Sequence, residues 1–380
     1  VLTAGQLVRA DVVMDGARIV DVVTEPADRS RSVDDVDCSD LVIAPGFIDL
    51  QCNGANGIDI TNEPHRILDV AAELPRFGVT SFLPTVVTAP STTRASAIDA
   101  MSALMAQHDH GVAERRAATP LGLHFEGPLL SRHHLGAHVP RFAADPESLL
   151  AEIEAWTSSG AVALVTLAPE LERAGEVIER LVAAGVVVSA GHTAMTPDAF
   201  ATARAAGLSY VTHLFNAMAP FQHRSPGPIG AALADGSVIV GLICDGVHVD
   251  PVAVAMAWNA LGPSRLSLVS DASPALGAPF GRFRIGGFEV VHDETGVRTV
   301  DGVLAGSALP LDQAVRNLVS FTTCSLGDAL TTVTSTPADL LGLDDRGRIR
   351  PGARADLTIV DSDGGLHRTI IAGETAWERR

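Results

Sequence analysis

The chain has 380 residues, 47% of them hydrophobic and 4% aromatic, with a formal charge of −18. That length accommodates one large α/β unit with a small satellite, the negative charge disfavours nucleic acid as a partner, and no apolar run approaches the roughly eighteen residues of a membrane span. All 27 basic residues are arginine, so Schiff-base chemistry, a phosphate-loop lysine and a metal bridge made from a carboxylated lysine are excluded.

The N-terminal VLTAGQLVRADVVMDG has no basic segment leading into an apolar core, so no secretory signal is expected and the protein is placed in the cytoplasm. Cys38, Cys52, Cys244 and Cys324 form no CxxC pair, which argues against a disulfide framework or a thiolate zinc site. Short β-branched runs such as ARIVDVV alternate with Gly and Asp turns near the start, and GRIRPGARADLTIVDSDGGLHRTIIAG has the same texture near the end. Residues 1–44 and 344–380 therefore read as one small β-sandwich built from both termini.

Between them lie LVIAPGFIDLQ, TSFLPT, LGLHFEG, ALVTLAP, VVVSAGHT, YVTHLFN, VIVGLICDGVHV and RLSLVSDAS. Continuous Val/Ile/Leu runs are typical of buried parallel strands, and intervening segments such as PESLLAEIEAW and TPDAFATARAAG have helical spacing and N-terminal caps. Residues 45–343 thus read as an α/β fold of the (β/α)₈ TIM-like type, with a β-hairpin insertion near 281–303. In that fold the chemistry sits at the C-terminal ends of the strands.

Polar residues gather at those ends. Gln51 and Asn53 share one face of the first strand, where such a barrel often offers two histidines. Glu126, His192 and His213 end strands three, five and six, and a Glu with two His is a ligand set for catalytic zinc with one position left for water. Asp271 closes strand eight, either as a base beside that water or as a cap for the following loop. His124 shares the face of Glu126 and is expected to support the ligands from behind. In LLSRHHLGAHVPRF, His138 is placed to polarise a carbonyl, whereas His133 and His134 read as solvated loop residues. Asn216 and the Ala217 backbone follow His213, and Arg224 lies in a Pro/Gly-rich loop. Arg224 reads either as an anion-binding fork, joined by His248, or as a surface ion pair.

HFEGP, the Gly-Ala-His loop, SAGHT, THLFNAM, DGVHVD, SDAS and LAGS follow one another as they do in N-acetylglucosamine-6-phosphate deacetylases of the amidohydrolase superfamily, which the chain resembles over nearly its whole length. The resemblance implies one divalent metal ion per subunit, Zn²⁺ by preference, on Glu126, His192 and His213. It makes Asp271 the general base and then acid, and His138 the carbonyl-polarising residue. Ala137, His138, Asn216, Ala217 and the Leu304-Ala305-Gly306 backbone would surround the sugar. It further implies a homodimer in which Arg224 and His248 reach the phosphate in the neighbouring active site. Family members with Gln-x-Asn on strand one work with one metal, so Gln51 and Asn53 are expected to hydrogen-bond the metal's water or its ligands. The expected reaction is deacetylation of N-acetyl-D-glucosamine 6-phosphate. The alternatives are a deacetylase for the galactosamine epimer, a cyclic amidohydrolase or nucleobase deaminase on the same barrel, and a non-catalytic scaffold. The missing strand-one histidine pair argues against the second, and the retained ligands and base argue against the last.

Overall fold

The computed structural model describes residues 1–24, 36–107, 116–144 and 146–379. Its centre is a barrel of eight strands, Phe47–Cys52, Val79–Val87, Leu123–Glu126, Val162–Leu167, Val187–Ala190, Tyr210–Val211, Ile239–Leu242 and Leu266–Leu268. Each pairs in parallel with the next. All eight runs read from the sequence become these strands. The connecting helices start where the caps demand. Thr196 Oγ1 accepts from Ala199 N at 3.2 Å ahead of Pro197–Ala205, and Asp250 Oδ1 accepts from Val252 N at 2.8 Å ahead of Pro251–Leu261.

Closure between strands eight and one is incomplete. At the lower end Ile48 N donates to Val333 O and Leu268 N to Thr332 O, so residues 332–333 wedge into the seam. Higher up a buried carboxylate replaces the missing ladder: Asp49 Oδ1 accepts from Gln51 N and Ser270 N, each at 3.2 Å, and Oδ2 accepts from Ser270 Oγ at 2.5 Å. Burial pushes the Asp49 carboxyl up to about 6 despite these bonds. At the rim the seam finally zips, with Asn53 N donating to Ala272 O at 2.7 Å.

The two termini share a four-stranded antiparallel sheet, in which Val42–Pro45 pairs with Leu357–Val360, then Leu366–Ile371, then Glu374–Glu378. The hairpin Asp11–Asp15/Arg18–Val23 packs across it, and Ile19, Ala355, Leu357, Ile359 and Ile370 form a core separate from that of the barrel. The chain passes between the two units at Gly46. A Cβ there would lie 2.1 Å from Thr80 Oγ1, so only glycine permits the crossing.

After strand eight the expected hairpin is a three-stranded meander, Gly281–Ile285, Phe288–Asp293 and Gly296–Thr299. Its first strand, GRFRI, lies just beyond a Pro/Gly stretch. In it Ile285 is buried, with Phe283 packed against the same cluster, while Arg282 and Arg284 stay exposed.

Candidate active site

Three strand ends bring Glu126, His192 and His213 together, with their ligand atoms all within 4.8 Å of one another and all three side chains buried. His192 and His213 sit just past their strands with φ of 50° and 27°, and Asp271 has φ 46°. Non-glycine residues occupy this left-handed region at a cost of about 1–3 kcal/mol each, and such outliers gather at functional sites. His192 Nδ1 donates to the His134 carbonyl at 2.9 Å, which turns Nε2 toward the centre. His192 Nε2 lies 3.0 Å from Glu126 Oε1, and His213 Nε2 lies 2.8 Å from the same oxygen. This His₂Glu donor set suits a divalent metal. Burial pushes the Glu126 carboxyl up, but the bonds from His192 and His213 outweigh it and hold it well below the usual range. Burial pulls His213 down, and the Glu126 carboxylate outweighs that and holds it above its ordinary value.

The opposite wall comes from strands one and eight. Gln51 Nε2 and Asn53 Nδ2 both donate to Asp271 Oδ1, at 2.9 and 2.8 Å. Among the described residues no side chain donates to Oδ2. Burial and then the Glu126 charge raise the Asp271 carboxyl to about 7, into the range where a carboxylate exchanges protons readily. His138 completes the centre from the loop after strand three. Its Nε2 lies 3.7 Å from Glu126 Oε2, its ring meets that of His192 edge-on at 4.5 Å, and burial lowers it to about 3, so the imidazole is neutral.

These groups line a cavity of about 210 Å³. Its lip carries Ile285 and Phe288 of the meander, which is anchored to the strand-one loop where Asp59 Oδ2 accepts from Gly286 N at 2.7 Å.

The amidohydrolase family model matches residues 42–376. The chain belongs to the amidohydrolase family. Human N-acetylglucosamine-6-phosphate deacetylase is 38% identical to it, over 100% of this chain and 94% of that protein. The crystal structure of the Pasteurella multocida N-acetylglucosamine-6-phosphate deacetylase superposes with a TM-score of 0.90 at 30% identity, covering 100% of this chain and 97% of the other. A mutant N-acetyl-D-glucosamine-6-phosphate deacetylase of Mycobacterium smegmatis, in complex with N-acetyl-D-glucosamine-6-phosphate, gives 0.89 at 32% identity, covering 99% and 97%.

On this amidohydrolase barrel, Ala137, His138, Asn216, Ala217, Leu304, Ala305 and Gly306 all line the cavity with the four central residues. The structure places further candidates. His248 lines the cavity of its own chain. Its side chain is 6% exposed, and Nδ1 and the main-chain N–H both bind Asp245, at 2.6 and 2.7 Å, which ties it down. Gln51 and Asn53 brace Asp271 through their side-chain amides. His124 lies below the site, bonded through Nδ1 to the Leu50 carbonyl at 3.0 Å and through Nε2 to Thr166 Oγ1 at 2.7 Å. It belongs to a hydroxyl network of the barrel interior with Thr212 and Ser189. Arg224 stands apart from this cavity, exposed in the Gln222–Ser225 turn.

Sequence reading passed over Asp49 and the His134 carbonyl. A charged residue inside the apolar run GFIDL is a visible signal for Asp49. A main-chain carbonyl has none.

Proposed function

We propose that this chain hydrolyses the acetamide of N-acetyl-D-glucosamine 6-phosphate to acetate and D-glucosamine 6-phosphate, in amino-sugar catabolism and cell-wall recycling. The observation that carries the reading is the pairing of Glu126, His192 and His213 with a buried carboxylate, Asp271, whose Oδ2 is left to the cavity, in a chain so similar throughout to deacetylases of that sugar phosphate.

Glu126, His192 and His213 would hold one divalent ion, Zn²⁺ by the preference of the donor set, which when bound acidifies water and polarises a carbonyl. Asp271 Oδ2 takes the proton of the attacking water, while Oδ1 stays fixed by Gln51 and Asn53. His138 donates to the acetamide oxygen as negative charge develops there. Asp271 then returns its proton to the departing amine nitrogen, so one carboxylate serves both halves of the reaction. Ala137, Asn216, Ala217 and the Leu304–Gly306 segment surround the sugar. His248 is the cavity's own candidate for the phosphate.

The exposed position of Arg224, away from this cavity, suits delivery to a partner subunit, and we assign a homodimer on that basis. A sugar-phosphate substrate and four free cysteines suit the cytoplasm. We partition the chain into a β-sandwich of residues 1–44 and 344–380 and a catalytic barrel of 45–343.

Metal counting combined with kcat/KM tests the reading. About one zinc per chain is expected, with preference for N-acetylglucosamine 6-phosphate over both the unphosphorylated sugar and the galactosamine epimer. Metal-loaded protein without acetate release sinks it, and equal rates without the phosphate remove the anion-binding assignment.

A further inference from the structure

We infer that Glu170, in the turn just past strand four, is a positioning residue that fixes the main chain carrying His192 and, through Thr193, the Ala217 wall of the sugar pocket. The inference rests on the amide-hydrolysis reading above, in which His192 holds the ion and Ala217 lines the sugar.

The parallel ladder between strands four and five ends at Leu167 and Ala190, and Gly191 N adds one last bond to Leu167 O at 3.0 Å. The ladder stops just where His192 adopts its φ of 50°. A side-chain-bearing residue keeps such a conformation only where its surroundings over-determine it. Glu170 supplies that restraint. Its Oε1 accepts from Ala194 N at 2.6 Å, and its Oε2 accepts from Thr193 Oγ1 at 2.5 Å. Both partners are uncharged, so this is no surface ion pair of little worth. The bonds are charge-assisted and short, and one goes to a residue with no exposed surface. The His134 carbonyl holds the imidazole of His192, and Glu170 holds the backbone that follows it.

Thr193 passes the restraint on. Its hydroxyl also accepts from Met195 N at 2.9 Å, which closes the turn after the ligand. Its main chain runs beside the loop after strand six: Thr193 N donates to Ala217 O at 3.2 Å, and Ala219 N donates to Thr193 O at 3.0 Å. Ala217 is itself left-handed, with φ 50°, and lines the cavity. One carboxylate thus steadies two strained segments, a metal ligand after strand five and a sugar wall after strand six. Asp271 and His138, the groups that move protons and polarise the carbonyl, come from strand eight and the loop after strand three, outside this strut.

The zinc affinity of the full chain, measured by competition with a chelator and without substrate, tests the ligand half of the role. Glu170→Ala should bind zinc about 10–100-fold more weakly than the wild type, the usual cost of losing a partner behind a ligand. At saturating zinc its KM should rise about tenfold, with the smaller change in kcat, because the sugar wall loosens while the proton-transfer groups stay in place. Glu170→Gln, whose Oε1 still accepts from Ala194 N, should fall between the two. A wild-type zinc affinity or a wild-type KM in Glu170→Ala overturns the inference. Should that variant fail to fold, Thr193→Val, which removes only the hydroxyl, carries the test. Its zinc affinity should fall and its KM rise, with Thr193→Ser restoring both, and wild-type values in the valine variant overturn the inference. Because the chelator competition needs no substrate, a wild type that releases no acetate would sink the functional reading while the zinc affinities still decide the role of Glu170.

Discussion

The two walls of the cavity solve opposite electrostatic problems. On strands three, five and six, one carboxylate and two imidazoles converge, a donor set that suits a cation. On strands one and eight, two fixed amide donors saturate one oxygen of a carboxylate and leave the other free. The first wall is built to bind a positive charge, and the second to hold a negative one without a metal. In that contrast Gln51 and Asn53, at the end of strand one, complete Asp271.

The contrast breaks most visibly at its two centres. Asp271→Asn should lower kcat by about 10³-fold or more with zinc retained, since it removes only proton transfer. His192→Ala should lose both zinc and turnover. Metal analysis beside kcat separates the two, and loss of zinc in Asp271→Asn would show that the walls are one site.

Gln51→Ala and Asn53→Ala should each cost about tenfold or somewhat more in kcat, the worth of one hydrogen bond to a charged group. Zinc occupancy should not change, and the acid limb of kcat/KM should move upward as the carboxylate loses a donor. A fall in zinc occupancy would put these amides on the metal wall instead.

Stripping the metal exposes the charge balance through pH. The Asp271 carboxyl is raised to about 7, and His213 is held above its ordinary value. Each contributes stability that is complete below its unfolded pKa and is lost as pH rises through its folded one. Glu126 has the opposite sign, but its window lies below the usual carboxylate range. Metal-free protein should therefore lose Tm from about pH 5 to about pH 8 more steeply than the zinc form. Asp49 and Asp59, both raised to about 6 by burial, contribute a slope common to both forms, so the difference between the two curves is the informative quantity.

Most of this architecture was legible because buried parallel strands look like continuous apolar runs, and polar residues at their ends stand out against them. Glu126, His192, His213 and Asp271, which the structure brings to one cavity, stand out that way. What the sequence concealed is contact that crosses strands. That Gln51 and Asn53 meet Asp271, or that Asp49 stitches the open seam to Ser270, depends on barrel closure over more than two hundred residues of chain. The left-handed backbone of His192, His213 and Asp271 has no compositional signature, since none is glycine. The inward placement of His248 follows from its bonds to Asp245, a pairing that its spacing allows without requiring.

The smallest effect probes what lies above both walls. Asp59 is buried under the meander, where it accepts from Gly286 N at 2.7 Å, from Thr61 N at 3.1 Å and from Asn62 Nδ2 at 2.5 Å, and Asn62 itself donates to Gly286 O at 2.8 Å. This knot holds the turn between Ile285 and Phe288, the two apolar residues that the meander offers to the cavity. Asp59→Ala strands those donors and should cost on the order of 1–3 kcal/mol. The loss should fall locally, because the meander has its own small cluster around Val290 and Val297. Hydrogen exchange should accelerate across 281–299 while the barrel strands stay protected. The kcat/KM should drop only a few-fold, roughly what partial loss of an apolar wall costs, with zinc content and the pH profile unmoved. If the Asp59 variant instead shifts the acid limb or sheds zinc, the meander is coupled to one of the charged walls, and whichever quantity moves identifies that wall.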